Sequence, residues 1–334
     1  MNTKSVDAIA NAVLYEGYML YPYRPSSVKN RQRFNFGVLY PRGYSEAQAG
    51  SDAWSNQTEC LVEGSSLAAI EIKVRFLKLV SRATDSQLSD GNAQAGASWQ
   101  EAIECDVAVP ISTLGTLLSG PIIWAFDFPA QRGVETLLDE CGHATGQIVR
   151  TQEFVRGNVQ ISAELVKDEL FKVTVLVENL ATIGGCEDSR EQALMRSLVS
   201  AHTLLGVTDG RFVSLLDPPE ALLELAGGCR NIGTWPVLVG ADGDRDTMLS
   251  SPIILYDYPQ IAPESPGDLF DGTEIDEILA LRILTMTDAE KHEMRHADER
   301  ARKMLERTES LPMEHLMKLH GTLRELRPLE EETP

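Results

Sequence analysis

The chain of 334 residues has no Cys-x-x-Cys pair, and its five cysteines (Cys60, Cys105, Cys141, Cys186 and Cys229) are odd in number and stand 36 to 45 residues apart. Such spacing disfavours both a disulfide framework and a structural zinc site, and fits a reducing compartment. Cations are scarce as well. Thirty Lys and Arg stand against 50 Asp and Glu, a formal charge of −20, so most of the surface repels phosphate backbones and anionic lipid. Nucleic acid is therefore not an expected partner. Long apolar runs are missing: the stretch around Pro121-Ile122-Ile123-Trp124 is too short to span a bilayer, and no basic-then-apolar leader opens the sequence. The expectation is a cytoplasmic protein without membrane insertion. The glycine pairs at 184–185 and 227–228 lack the lysine and spacing of a phosphate loop, which removes the usual nucleotide site.

What is present is an ordinary globular composition, 43% hydrophobic and 24% charged, long enough for more than one core. Ser5, Val6, Ile9, Ala10 and Val13 read as a capped amphipathic helix stopping near Gly17. Ile70, Ile72, Val74 and Phe76 alternate with Glu71, Lys73 and Arg75, which predicts a half-buried antiparallel strand, and the phase slips at Leu77 as at a bulge. Residues 85–97 read as a surface loop. Val159, Ile161, Ala163 and Leu165, a polar turn at Lys167-Asp168-Glu169, then Phe171, Val173, Val175 and Val177 make the clearest hairpin. Ser189 to Leu205 carries helical spacing with Gly206 as a stop, and Asp217-Pro218-Pro219 caps a shorter helix ending at Gly227-Gly228. Capping boxes at Thr273/Asp276 and Thr287/Glu290, and a start at Ser310 to Pro312, predict a helical end. The resulting expectation is an α+β fold: two β-rich, antiparallel, sandwich-like halves with packed helices (1–150 and 151–260) and a helical C-terminal extension (261–334).

His292-Glu293-Met294-Arg295-His296 is a literal HExxH, in which two histidines one turn apart hold zinc and the glutamate deprotonates water. The apolar stripe of that helix, Met294, Ala297, Ala301, Met304 and Leu305, lies on the side opposite both histidines, so a solvated charged helix is the favoured reading. Asp242-Gly243-Asp244-Arg245-Asp246 imitates a calcium loop, yet Thr247 and Ile253 occupy the positions that need glycine and glutamate, and a β-turn is expected instead. Cys141-Gly142-His143 offers two metal ligands at most. Cys60 and Cys229 are the thiols to weigh as reactive or ligating groups, against a buried inert default. No cofactor is expected.

Two segments suit recognition. Tyr21, Tyr23, Arg24, Lys29, Arg31 and Arg33 gather cations and aromatics, and residues 1–50 hold six basic against three acidic side chains in an acidic protein. A carboxylate-rich partner surface fits them, as does a solvated edge strand. The second segment runs from Ser250 to Glu274 and carries Tyr256, Tyr258, Asp268, Asp271 and Glu274 on an apolar strand that enters a proline-rich acidic loop. It suits docking, or pairing with the basic segment of the same chain, better than cation binding.

TECLVEG, YPYRPSSVKNRQRFNFGVLYP and DTMLSSPIILYDYPQIAPESPGDLFDGTEIDEILALRILTMTD, together with most of the chain, resemble a family of uncharacterised bacterial proteins encoded in [NiFe]-hydrogenase gene clusters. The resemblance implies a cytoplasmic accessory protein that assembles, matures or regulates such an enzyme through contact with a hydrogenase subunit or maturation protein. A metal-dependent enzyme using the HExxH or a Cys/His site, and a module binding a small ligand or metal, are the alternatives.

Overall fold

A computed structural model of the chain describes residues 3–15, 34, 36–85, 99–138, 142–182, 189–260, 283–297 and 299–312. The chain divides into two compact units, residues 1–18 with 31–260, and residues 19–30 with 261–334. This differs from a division at residue 150, because strands on both sides of that point share one sheet.

In the first unit, α1 (Thr3–Leu14) buries Val6, Ile9, Ala10 and Val13, the stripe its sequence spacing predicts. After a short α2 (Arg42–Ala47), β1 (Ser55–Asp85) runs for 31 residues and organises the fold. It is followed by β2 (Trp99–Thr113), α3 (Leu114–Leu118), β3 (Ile122–Phe128), β4 (Gln131–Leu138), β5 (Ala144–Gln152), β6 (Val155–Lys167) and β7 (Leu170–Asn179). Then come α4 (Arg190–Leu194), β8 (Val199–Phe212), α5 (Leu223–Gly227), β9 (Trp235–Leu238) and β10 (Thr247–Ser251). Among the described residues ten strands form one antiparallel sheet ordered β3-β6-β7-β1-β8-β10-β9, with β2 and the β4–β5 hairpin attached to the far half of β1.

β1 carries so many partners because it changes them midway. One edge pairs β7 over Ser55–Glu63 and β2 over Ala69–Arg82. The other pairs β8 over Val62–Leu77 and β5 over Ser81–Asp85. At the changeover residues 65–68 lie opposite Asp209 alone, and Gly64 faces Gly210 so closely that a Cβ on Gly64 would sit 3.1 Å from the Gly210 Cα. A bulge of this kind bends the strand and strengthens its twist. The sheet consequently curls over its own core: Phe126 and Phe128 of β3 pack 6.0 and 5.4 Å from Phe76 of β1, although β6 and β7 stand between those strands in the hydrogen-bonded order. Val62, Val74, Val107, Val159, Val175 and Leu205 fill the interior, and α3 inserts Leu114 and Leu117.

The predicted hairpin is β6–β7, closed at Asp168-Glu169 with Glu169 at φ 54°. The bulge expected near Leu77 is a register shift between Arg75 and Leu77 on the β8 side. Three expectations need correction. Val74 to Val80 is buried on both faces, not one, since β1 lies inside the sheet with both faces covered. Residues 189–205 are not one helix: Ser189 and Gln192 form a reciprocal capping box for α4, but the chain then enters β8. Val199 to Val207 is buried at every position, so its apolar residues carry no period that separates helix from strand, and β-branched Val199, Thr203 and Val207 suit the pleat. Equally, the two β-rich halves are a single sheet. Its two halves meet through β1, whose partners lie more than 100 residues away in β7 and β8.

In the second unit, α6 (Asp288–Ala297) and α7 (Glu299–Glu309) form a helical hairpin rather than one long helix. Lys291 and Arg295 of α6 reach Glu309 at the end of α7 at 3.2 and 3.1 Å, which a single straight helix would not allow. Thr287 and Glu290 make the predicted capping box, with Glu290 N donating to Thr287 Oγ1 and Thr287 N to Glu290 Oε2. The Thr273/Asp276 box, the 86–97 part of the expected loop, and the helix beyond Pro312 lie outside the described residues.

Candidate functional site

β9 ends the sheet on one side, and its composition suits an edge: Pro236 has no N–H to offer a neighbour. Val237 pairs with β10, so Pro236 and Leu238 turn their backbone groups outward. Those of Leu238 are taken. Its N–H donates to Asp257 Oδ1 at 2.7 Å, and its carbonyl accepts from Tyr258 N at 2.8 Å. Asp257 Oδ2 also accepts from Ser214 Oγ at 2.5 Å, so one carboxylate ties the segment after β10 to both β9 and the 214 turn.

Pinned in this way, the segment runs along the outside of β9, from Ser251 opposite Trp235 to Tyr258 beside Leu238. Between those anchors Ile254 is 75% and Tyr256 86% exposed, and Trp235 is 44% exposed on the strand itself. The two tyrosines singled out in the sequence thus differ. Tyr256 stands in solvent, whereas Tyr258 packs against the core at φ 56°, its hydroxyl pushed up by burial and then by the carboxylates of Asp257, Asp242 and Asp244. Trp235, Ile254 and Tyr256 thus expose an aromatic and aliphatic strip beside a backbone tied down at Leu238, with carboxylates nearby.

The remaining sequence candidates separate. Cys60 is fully buried and its thiol is pushed up by burial; Cys229 is partly buried, donates to the Leu225 carbonyl at 3.6 Å, and is pushed up to about 11, chiefly by burial and then by Glu59. Both stay protonated near neutrality, which removes thiolate reactivity. On α6, Met294 is buried and His292 is exposed, with Glu293 half-buried; the side chain of His296 lies outside the described residues. Among the described residues no three His, Cys, Asp or Glu side chains converge as a metal ion requires. The 242–246 segment is a turn, with Asp244 N donating to the Ala241 carbonyl and Asp244 Oδ2 accepting from Ala241 N. Tyr21, Tyr23, Arg24, Lys29, Arg31, Arg33, Asp268, Asp271, Glu274 and Cys141 lie outside the described residues.

One cluster had no counterpart in the sequence reading. His202, Arg75 and Asp106 lie in register across β8, β1 and β2, beneath α1. Arg75 is 7% exposed, and its guanidinium donates to Asp106 at 3.0 Å, Glu104 at 3.1 Å and Asn11 of α1 at 2.8 Å. Ser200 Oγ donates to the Val13 carbonyl and Tyr15 Oη to Glu104, so the polar ladder clasps the helix to the sheet. Burial pushes the Asp106 carboxyl up, but hydrogen bonds from Lys73 and Arg75 outweigh it and hold it below its ordinary value. The clue available in the sequence was the matching alternation of Lys73/Arg75 and Glu104/Asp106 on two strands, readable only once those strands are known to pair.

No family model matches the chain, and no curated protein is significantly similar to it.

A second polar group supports the β9 side from within. Thr58 Oγ1 lies 2.6 Å from Ser250 Oγ and 3.2 Å from Thr234 Oγ1, linking β1, β10 and the approach to β9 through buried hydroxyls. The strip is therefore carried on a rigid base. Among the described residues no helix is long and apolar enough to cross a membrane.

Proposed function

We propose that the protein is a non-catalytic accessory factor that acts by protein contact. The observation that carries this reading is the exposure of Trp235, Ile254 and Tyr256 on and beside a sheet edge where the N–H and C=O of Leu238 are taken by Asp257 and Tyr258. Large aromatics on a preorganised backbone dominate binding energy in protein interfaces, because little conformational entropy is lost when they are covered. In the setting that the family resemblance implies, the partner is a [NiFe]-hydrogenase subunit or maturation protein, and the role is assembly, maturation or regulation of that enzyme in the cytoplasm. Deleting the gene in a hydrogenase-producing host and restoring it with wild type or with Trp235→Ala/Tyr256→Ala tests the assignment. Wild type restores the mature enzyme and the double variant, folded and equally abundant, does not. Normal maturation in the deletion strain overturns the proposal.

A further inference from the structure

The sheet's other end is built differently from β9. β3 pairs only with β6 among the described residues, and every second residue of Ile122–Phe128 turns its N–H and C=O away from that partner. Most of the usual guards are missing: the strand IIWAFDF has no proline, lysine, glycine or bulge, Asp127 is its one charge, and Ile123 and Trp124 are 59% and 40% exposed. Beside the open edge, a groove of about 540 Å³ lies over the outward face of β3 and β6, walled by Ile123, Ala125, Phe126 and Leu180. Its polar side chains are those of Asp127, Asn158 and Arg156. Among the described residues Asn158 Oδ1 is buried with no donor and the Asp127 carboxylate has no ion pair, while its cross-strand neighbour Arg156 rests 5.4 Å from the Phe154 ring.

We infer that β3 receives an extended segment of a partner protein as an added strand, with a lysine, arginine or amide side chain of that segment reaching over β3 to Asp127 and Asn158 Oδ1. Main-chain hydrogen bonds along Ile122–Phe128 supply affinity, and the groove supplies the choice of side chain. A neighbouring strand lies about 4.8 Å away, so a long side chain on its outward face spans the edge and enters the groove. A second copy of this chain is the poorer occupant, because its own β3 brings Ile123, Ala125 and Asp127 to that face and no cation or amide, in a protein of charge −20. The inference rests on the protein-contact reading and adds a site separate from the β9 strip.

Phage-displayed random ten-residue peptides are selected on the full-length protein with counter-selection on Ile123→Lys, and the best sequence is synthesised. The expected peptide alternates apolar residues with one or more Lys, Arg, Asn or Gln and slows amide exchange within Ile122–Phe128. It loses at least about tenfold in affinity against Ile123→Lys and against the milder, strand-compatible Ile123→Thr, and similarly against Asp127→Asn. Trp235→Ala/Tyr256→Ala binds it unchanged, which keeps failure here distinct from failure of the β9 contact. Recovery of no Ile123-sensitive peptide, protection elsewhere, or concentration-dependent protection of Ile122–Phe128 in the protein alone overturns the inference, the last in favour of self-pairing.

Discussion

His202 makes the stability of the sheet sensitive to mild acid. The ring is fully buried on β8, and its Nδ1–H donates to the Ser200 carbonyl at 2.9 Å, because a carbonyl can only accept; that leaves Nε2 as a bare, buried acceptor without a partner. The charged groups facing it are Arg75 and Lys73 on β1 and Asp106 on β2. Burial, reinforced by the two cations, outweighs the Ser200 hydrogen bond and pushes the imidazole down to about 4 from its ordinary 6.5. With the folded value depressed, the unfolded chain takes up a proton before the native one does, so stability present above pH 6.5 is lost as pH falls toward 4. The loss approaches about 3 kcal/mol at the acid limit, and between pH 7 and pH 5 it is about 2 kcal/mol, from the two proton-binding curves. Urea unfolding of wild type and His202→Leu at both pH values isolates the term, since the other titrating groups are common to both proteins. With a slope of about 3 kcal/mol per molar urea, wild type shifts its midpoint by roughly 0.5 to 1 M more than the variant. Equal shifts in the two proteins would refute the reasoning.

Arg75→Met removes the cation that joins α1 to β1 and β2. Because Glu104 and Asp106 are 45% and 41% exposed and regain water, the expected cost is about 2–3 kcal/mol rather than the larger penalty for a fully buried pair, with faster amide exchange across α1 as its local signature. Gly157→Ala on β6 drives a methyl into the Glu178 carbonyl and the Phe126 ring, and calorimetry is expected to show a loss of about 1–3 kcal/mol. Cross-strand partners pin the backbone at this position, which leaves little room for relaxation.

Legibility in the sequence followed the range of the interactions. The β6–β7 hairpin was readable because alternation and turn chemistry lie within 25 residues, and the α1 stripe because one helix face decides it. β8 was misread because burial on both faces erases the period. The single sheet was hidden for another reason: Ser55 to Glu63 pairs with Leu170 to Glu178, and no local pattern encodes a partner at that separation. The same limit concealed the His202–Arg75–Asp106 ladder, whose members look like solvated residues until three distant strands align. Tyr256 and Tyr258 were visible as candidates, but their opposite fates depend on Asp257 reaching the Leu238 amide. β3 was visible only as an apolar run; its position at an open edge is a product of topology.

The most direct test of the central claim is quantitative co-purification from the native host, comparing tagged wild type with Trp235→Ala/Tyr256→Ala by isotope-labelled mass spectrometry. Truncating central aromatics typically costs about 2 kcal/mol or more each, roughly thirtyfold in affinity. The account predicts a hydrogenase subunit or maturation protein retained in near-stoichiometric amount by wild type and depleted at least about tenfold with the folded double variant. Equal recovery with both proteins, or wild type recovered alone, would contradict it.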